Sequence, residues 1–526
     1  MSLLLHQILL QQAEKTPSAP ALGYHKPRTG DQWLDYQSVF HQIISVASGL
    51  QALGLACHER VAVYLPKTPE AVFSFFGITA AGGVMVPVNP VLKAPQVFYI
   101  LKDCNVRVLI TNKARYKQLA SDIRQCHDLL HVILVDDECP DTLPWTAFLK
   151  DPALWQEAAA IDADMAAILY TSGSTGKPKG VVLSHRNMVS GAHSVSRYLG
   201  NRADDRLLCV LPFSFDYGFS QLTTAFSVGA SCYLLEYLFP KDVINAVDRL
   251  SITGLGLVPP LWVQMAELAW SEGMGKSLRY FTNTGGAMPT RTLSLLRERF
   301  RQAEPYLMYG LTEAFRSCFL PPSEIDQRPD SMGKAIPNVE VMVINERGEE
   351  CAAHEPGELV HRGGLVSMGY WNDPERTRER FKPAPCRIKE IPSQELAVWS
   401  GDIVRRDEAG FLYFIGRRDD MIKTSGYRVS PIEVEEVAYS SGLLAEAAAI
   451  GVPHDQLGQA IVLVSVCRDS GQAPADSAVI KHCRHQLPSY MVPIQVLFVE
   501  ALPRNPNGKI DRKQLVNEYK GLFTYE

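Results

Sequence analysis

The chain has 526 residues, 46% hydrophobic and 21% charged, an ordinary globular composition with apolar material for two or three cores. A net charge of −5 excludes the basic footprint of a nucleic-acid binder and argues against docking on an anionic membrane. Eleven cysteines, an odd number with no CxxC spacing, read as reduced thiols and not as a disulfide framework or zinc cluster, which places the protein in the cytoplasm.

The first fifteen residues, MSLLLHQILLQQAEK, lack a basic leader and read as an amphipathic helix, not a signal peptide. Strands are predicted at Arg60–Leu65, Val106–Thr111, His131–Asp136, Leu207–Leu211 and Val339–Asn345. Between them Pro69–Ala81, Lys241–Leu250 and Thr290–Phe300 have helical length and period. This alternation predicts α/β units with largely parallel sheets. The most apolar stretch, Ala71–Val88, is interrupted by Gly77, Gly82, Gly83 and Pro87, and reads as a buried helix running into a strand; no segment is expected to span a bilayer. From Pro337 to Tyr370 shorter strands separated by Gly and Pro predict a β-rich piece. Gly416–Ser430 is dense in charge, Gly and Ser. Beyond it come a helix at Pro431–Ser440, strands at Ala445–Val452 and Ala460–Val466, a helix near Ser477–Leu487, a strand at Gln495–Val499 and a last helix after about Asp511. The expected organisation is a large N-terminal α/β core with a β-rich subdomain, residues 1–416, and a small α+β domain, residues 417–526.

The segment TSGSTGKPKG, Thr171–Gly180, carries the sharpest chemical signal. Thr171, Ser172, Ser174 and Thr175 supply hydroxyls, Gly173, Gly176 and Gly180 leave backbone N–H groups open, and Lys177 and Lys179 supply cations, a set suited to a polyphosphate. It is not a Walker A loop: the spacing to Lys177 is too short, Pro178 stands where Ser or Thr would bind Mg2+, and an apolar strand, Val181–Leu183, comes after it in place of a helix. A flexible linker is the bland alternative, and the apolar flanks on both sides speak against it.

This loop and the motifs downstream of it resemble the adenylate-forming ligase superfamily, which includes acyl-CoA synthetases, peptide-synthetase adenylation domains and firefly-type luciferases. The resemblance covers nearly the whole chain, with the motifs in the family's order. Gly285-Gly286-Ala287 is similar to the loop beside the adenine, Tyr309-Gly310-Leu311-Thr312-Glu313 to the YGxTE motif, and Trp399-Ser400-Gly401-Asp402 to the usual TGD. Gly416-Arg417-Arg418-Asp419 resembles the hinge motif, and Asn505-Pro506-Asn507-Gly508-Lys509 the segment of the catalytic lysine.

The resemblance implies ATP and Mg2+ as cofactors, and roles that the side chains can perform. Tyr309 would offer a flat face to adenine, Thr312 a hydroxyl to the α-phosphate, and Glu313 a hard oxygen ligand to Mg2+. Asp402 would accept both ribose hydroxyls, with Arg417 as a second ribose contact and Phe414 lining the pocket, although core packing accounts for Phe414 nearly as well. Lys509 would stabilise charge as a carboxylate attacks the α-phosphate and pyrophosphate leaves, while Lys177 and Lys179 meet the departing phosphates. Asp419 matches the hinge about which the family's small, mobile domain turns after adenylation; Lys423–Arg428, with Gly426, would then line a tunnel for a pantetheine thiol. Each of these residues also has a plain structural reading, as a core tyrosine, a turn aspartate or a surface charge.

The acid pocket is read from LPFSFDYGFSQ, Leu211–Gln221. Many acyl-CoA synthetases of the family carry a histidine here; this chain has Phe215-Asp216-Tyr217-Gly218. In amino-acid-activating members the matching aspartate binds the α-ammonium, since a buried carboxylate needs a cationic partner. The alternative is an aspartate capping a helix at Gly218–Ala225. Arg316 could bind a second carboxylate, or pair with Asp216. Phe215, Tyr217, Phe219 and Trp262 imply a small pocket. With no condensation or carrier segment in the sequence, the expectation is a free-standing ligase for a small amino or imino acid, loading the phosphopantetheine arm of a separate carrier protein. By resemblance to prolyl-carrier-protein ligases, and to exosortase-associated acyl ligases, L-proline leads the substrates. The alternative is an acyl-CoA ligase for a small organic acid using free coenzyme A. A non-catalytic scaffold of the same fold is disfavoured by intact Lys509, Glu313 and Asp402, and nothing in the sequence supports a luciferase-like oxidation.

Overall fold

The computed structural model describes residues 3–119, 123–171, 178–385, 390, 395–418, 420–424, 427–454, 457–468, 476–505 and 508–523. The chain forms two compact units, one of residues 1–341 and 361–398, the other of residues 342–360 and 399–526.

The first unit holds two sheets flanked by helices. One runs in the order Gly369–Tyr370, Lys179–Ser184, Met165–Thr171, Val84–Pro87, Arg60–Tyr64, Val106–Thr111, His131–Leu134, Leu143–Pro144. Its centre is parallel, with Arg60 opposite Val84 and Val108 opposite His131, as expected for strands joined by the helices Pro69–Ala80 and Ala94–Asp103. Thr68 caps the first of these helices by accepting from the Ala71 N–H, and Pro69 takes the first position, where no N–H is needed. That helix is buried along its length, which is why its sequence is apolar all round.

The second sheet of this unit runs Ser331–Ala335, Phe315–Leu320, Glu304–Leu311, Tyr280–Asn283, Gly254–Leu257, Arg206–Cys209, Ser231–Leu234, Pro20–Lys26, Gly30–Asp35. Its middle strands are parallel and buried on both faces. The helices His185–Tyr198 and Asp216–Val228 lie together on the core between the sheets, where Phe75, Phe76, Phe219 and Phe226 interlock edge to face and stacked.

In the second unit the strands Leu444–His454 and Gly458–Cys467 form a long antiparallel pair; Gly458–Cys467 also pairs with Ile422–Thr424, itself paired with Tyr427–Val429, and, in parallel, with Gln495–Phe498. The helices Pro431–Ser440, Asp476–Gln486 and Arg512–Tyr519 accompany this sheet. The expected boundary near Gly416 falls inside a hairpin strand, Leu412–Arg417, which pairs with Leu396–Arg406 so that Asp402 faces Arg417. The compact units separate instead at Val398/Trp399, because that pairing ties residues 399–417 together.

The other predicted strands and helices named above are present with ends within two residues, but the first helix, expected over the opening fifteen residues, begins only at Gln7. A second boundary also differs. The helix expected at Gly218–Ala225 begins at Asp216 and ends at Val228, where Gly229 (φ 80°) closes it in the left-handed conformation. Among the described residues, ten cysteines are free thiols, and no helix is long and apolar enough to cross a membrane.

Candidate active site

In the first unit a tight antiparallel pair builds the centre of the site. Glu304–Leu311 turns through Thr312–Ala314 into Phe315–Leu320, with Gly310 opposite Arg316. Only glycine fits at 310, since a Cβ there would stand 2.2 Å from the Phe315 carbonyl oxygen. Phe315 itself takes φ 53°, ψ −132°, a conformation that L side chains rarely adopt. Strain of this kind persists where surrounding structure enforces it, and here it lies between Glu313 and Arg316.

Glu313 is buried, and Lys179 Nζ lies 2.6 Å from its Oε1. The Tyr370 hydroxyl donates to the same oxygen at 2.6 Å, Lys179 donates to that hydroxyl at 3.0 Å, and the ammonium also stands 4.5 Å from the Tyr370 ring centroid. Burial pushes the Glu313 carboxyl up, but the Lys179 charge and the two hydrogen bonds outweigh it and hold the group down at about 2. Glu313 is therefore an ionised carboxylate at neutral pH and can supply an oxygen ligand to Mg2+. Among the described residues no group of three His, Cys, Asp or Glu could hold a metal by itself, so Mg2+ at Glu313 would take its remaining ligands from phosphate oxygens and water. Burial pushes the Tyr370 hydroxyl well up, with the Glu313 charge adding to it, so it stays a donor.

Tyr309 has one face backed by His361, with ring centroids 6.1 Å apart and planes within 14°. His361 is fully buried, neither ring nitrogen is hydrogen-bonded among the described residues, and burial lowers it to about 3 against the opposing pull of Glu313. It is thus a neutral, flat support for the tyrosine. Gly285 (φ 83°) and Gly286 lie on the loop after Tyr280–Asn283, where the Asn283 amide donates to the Gly286 carbonyl at 2.9 Å; Ala287 comes next, exposed. Thr171 ends the strand Met165–Thr171 opposite Lys179. Ser172, Gly173, Ser174, Thr175, Gly176 and Lys177 lie outside the described residues, as do Asp419 and Gly426.

Asp216 is half-buried in the first turn of Asp216–Val228, on the wall of a cavity shared with Asn187, Phe219, Ser220 and Phe315. The cap position belongs to Phe215, which makes no side-chain cap, and Asp216 stands at the first helical position. Tyr217 is buried and shares a hydrogen bond with Thr282, and the Phe215 ring meets it edge on at 6.2 Å. Arg316 is 1% exposed, donates to the Ser220 hydroxyl, and lies 4.6 Å from the Tyr217 ring centroid.

The second unit carries its own group. Asp402 is 3% exposed and pairs with Arg417 at 3.2 Å. Gly401 (φ 73°) precedes Asp402 inside the strand Leu396–Arg406, its N–H bonded to Glu358 at 2.9 Å, and Glu358 also pairs with Arg418 at 2.7 Å. Phe414, half-buried, sits opposite Val404. Lys423 is exposed, its N–H bonded to Gln459 at 2.7 Å. Lys509 is exposed on a tight loop whose backbone is closed by Asn505 and whose Gly508 carbonyl accepts from Arg504 at 2.7 Å.

Three residues escaped the sequence reading. Tyr370, His361 and Glu358 carry no motif signal, and only folding brings them beside Glu313, Tyr309 and Gly401.

The two-unit α/β fold and the buried glutamate paired with Lys179 accord with the family that the comparisons identify. The AMP-binding enzyme model matches residues 9–371, and the AMP-binding enzyme C-terminal domain model matches residues 433–509. The chain belongs to the AMP-binding enzyme family. Tyrocidine synthase 3 of Brevibacillus parabrevis is 28% identical over 97% of this chain, which spans only 8% of that relative. A long-chain-fatty-acid–CoA ligase of Salmonella typhimurium is 29% identical over 90% of this chain and 87% of its own length. The crystal structure of ATP-bound MatB from Rhodopseudomonas palustris is 26% identical, covers 100% of both chains and superimposes with a TM-score of 0.87.

Proposed function

We propose that this enzyme adenylates a small amino or imino acid and passes the acyl group to the phosphopantetheine thiol of a separate carrier protein. The observation that carries this reading is Asp216: a half-buried carboxylate in the first turn of a helix, on a cavity wall. An ammonium group is the natural partner for such a carboxylate. L-Proline remains the candidate by resemblance.

In this reading the loop from Thr171 to Lys177, with Lys179, meets the phosphates, Thr312 the α-phosphate, and Glu313 the Mg2+. Tyr309 and Gly285–Ala287 frame the adenine; Asp402, Arg417 and Phe414 serve the ribose side. Lys509 stabilises the attacking carboxylate and the departing charge. A functional division into residues 1–416 and 417–526, turning at Asp419, with Lys423 and Gly426 on the thiol path, belongs to the same proposal.

A second reading, an acyl-CoA ligase for a small organic acid, is favoured by the near full-length match to the fatty-acid–CoA ligase. ATP–pyrophosphate exchange across the twenty amino acids and a set of small organic acids separates the two. A strong signal from an amino acid, with thioester formed on a phosphopantetheinylated carrier, supports the first. Exchange with non-amino acids alone, and thioester formed on coenzyme A, supports the second.

A further inference from the structure

Among the described residues Arg316 is a buried cation without an anionic partner. Its side chain is 1% exposed, its Nη2 donates to Ser220, and its Nε and Nη1 have no hydrogen-bond partner there. No carboxylate among the described residues forms an ion pair with it. Tyr217 and Phe315 present ring faces at 4.6 Å each, which eases the charge without neutralising it. A guanidinium cannot shed its proton, so it cannot escape the cost of burial as a lysine would.

Arg316 lines a small cavity. Its lining also includes Tyr217, Ser220, Gln221, Thr224 and Thr282, and the Gln221 Oε1 and Thr224 hydroxyl are also buried without partners. A few unpartnered polar atoms thus stand in an otherwise largely apolar wall. The strained Phe315 backbone directs the chain into this position. Ser220 lines both this cavity and the one bearing Asp216. Asp216 and Ser220 lie four residues apart on one helix, roughly 6 Å along its axis, a short side chain's reach.

We propose that Arg316 receives a second carboxylate, on the far end of the acid that is adenylated. The inference rests on the amino-acid reading only for the amine at Asp216; taken together, the two make the substrate an acidic amino acid, which moves the preference away from proline. One carboxylate would attack the α-phosphorus while the other sits in the bidentate fork of Arg316.

The test is ATP–pyrophosphate exchange by the full-length enzyme and its Arg316→Met and Arg316→Lys variants. The panel is aspartate, glutamate, asparagine, glutamine, proline and alanine, with malonate and succinate as amine-free dicarboxylates. The expected result is a dicarboxylate favoured over its half-amide on the order of 100-fold in kcat/KM, because a site built for a hydrogen-bonding partner rejects the analogue lacking it. Arg316→Met should abolish that preference through KM, and Arg316→Lys should restore part of it. Because Arg316→Met removes an unpaired buried charge, its urea midpoint should equal or exceed that of the parent. If no dicarboxylate, with or without an amine, is used better than its half-amide, the proposal is overturned. If malonate or succinate is used in an Arg316-dependent way and amino acids are not, the second carboxylate stands and the amino-acid reading alone fails.

Discussion

Lys179 Nζ lies 2.6 Å from Glu313 Oε1, and the Tyr370 hydroxyl, 2.6 Å from the same oxygen, closes the triangle. The carboxylate proposed for Mg2+ is thus kept ionised in a buried setting by a lysine from the strand Lys179–Ser184. This coupling ties metal binding to the loop that would meet the phosphates.

Removing Lys179 should expose the cost of burying Glu313. Lys179→Met should lower stability by about 3 kcal/mol at neutral pH, the usual scale for orphaning one partner of a buried pair. In the parent, the Glu313 carboxyl is held at about 2, below its ordinary 4.5, so its contribution is present above pH 4.5 and fades as pH falls toward 2. In the variant only the Tyr370 and backbone hydrogen bonds oppose burial, so the carboxyl rises relative to the parent. The folded variant then takes up the proton more readily, and its deficit should shrink as pH falls from about 7 toward about 2. Urea unfolding of both proteins across that range checks this; a deficit independent of pH would disprove it.

Asp216→Ala should lower kcat/KM for amino-acid activation on the order of 100-fold, the scale for leaving a buried charge unmatched. Exchange kinetics read the effect, while the thermal shift on adding ATP and Mg2+ should be retained. An unchanged KM and rate would remove Asp216 from the pocket.

Lys509→Ala should cut adenylate formation by at least about 100-fold, the loss typical of removing one charge-stabilising donor. Thioester formation from synthetic acyl-adenylate should persist. Normal pyrophosphate exchange in this variant would refute the assigned role.

Arg512, three residues after Lys509, pairs with the buried Glu435 at 2.6 Å, and Glu435 also accepts from the Ala449 N–H at 2.7 Å. Glu435→Gln should destabilise the protein by about 3 kcal/mol, and Arg512→Met by a similar amount. The double variant should cost less than the sum, because neither leaves a charge behind. Denaturant unfolding of the four proteins gives the coupling, and strict additivity would show the pair to be inert.

Much of this protein was legible in its sequence. The periodicity of Pro69–Ala80 and the capping Thr68 gave a buried helix, the β-branched runs gave the parallel strands, and the ordered glycine, hydroxyl and acidic motifs pointed to Glu313, Tyr309 and Lys509. The start of Asp216–Val228 was misplaced by two residues because Phe215 carries none of the side-chain signals of a cap.

The sequence by itself determined the chemistry on offer and the order of the elements, because hydrophobic period, turn residues and motif spacing act over a few residues. Only the tertiary structure decided which charges meet. Lys179 and Glu313 are 134 residues apart, and Glu313 and Tyr370 are 57 apart. The tertiary structure also showed that Arg316 is buried with no carboxylate among the described residues to answer it. The electrostatic state of a side chain is set by every group packed around it, and no local spacing encodes that sum.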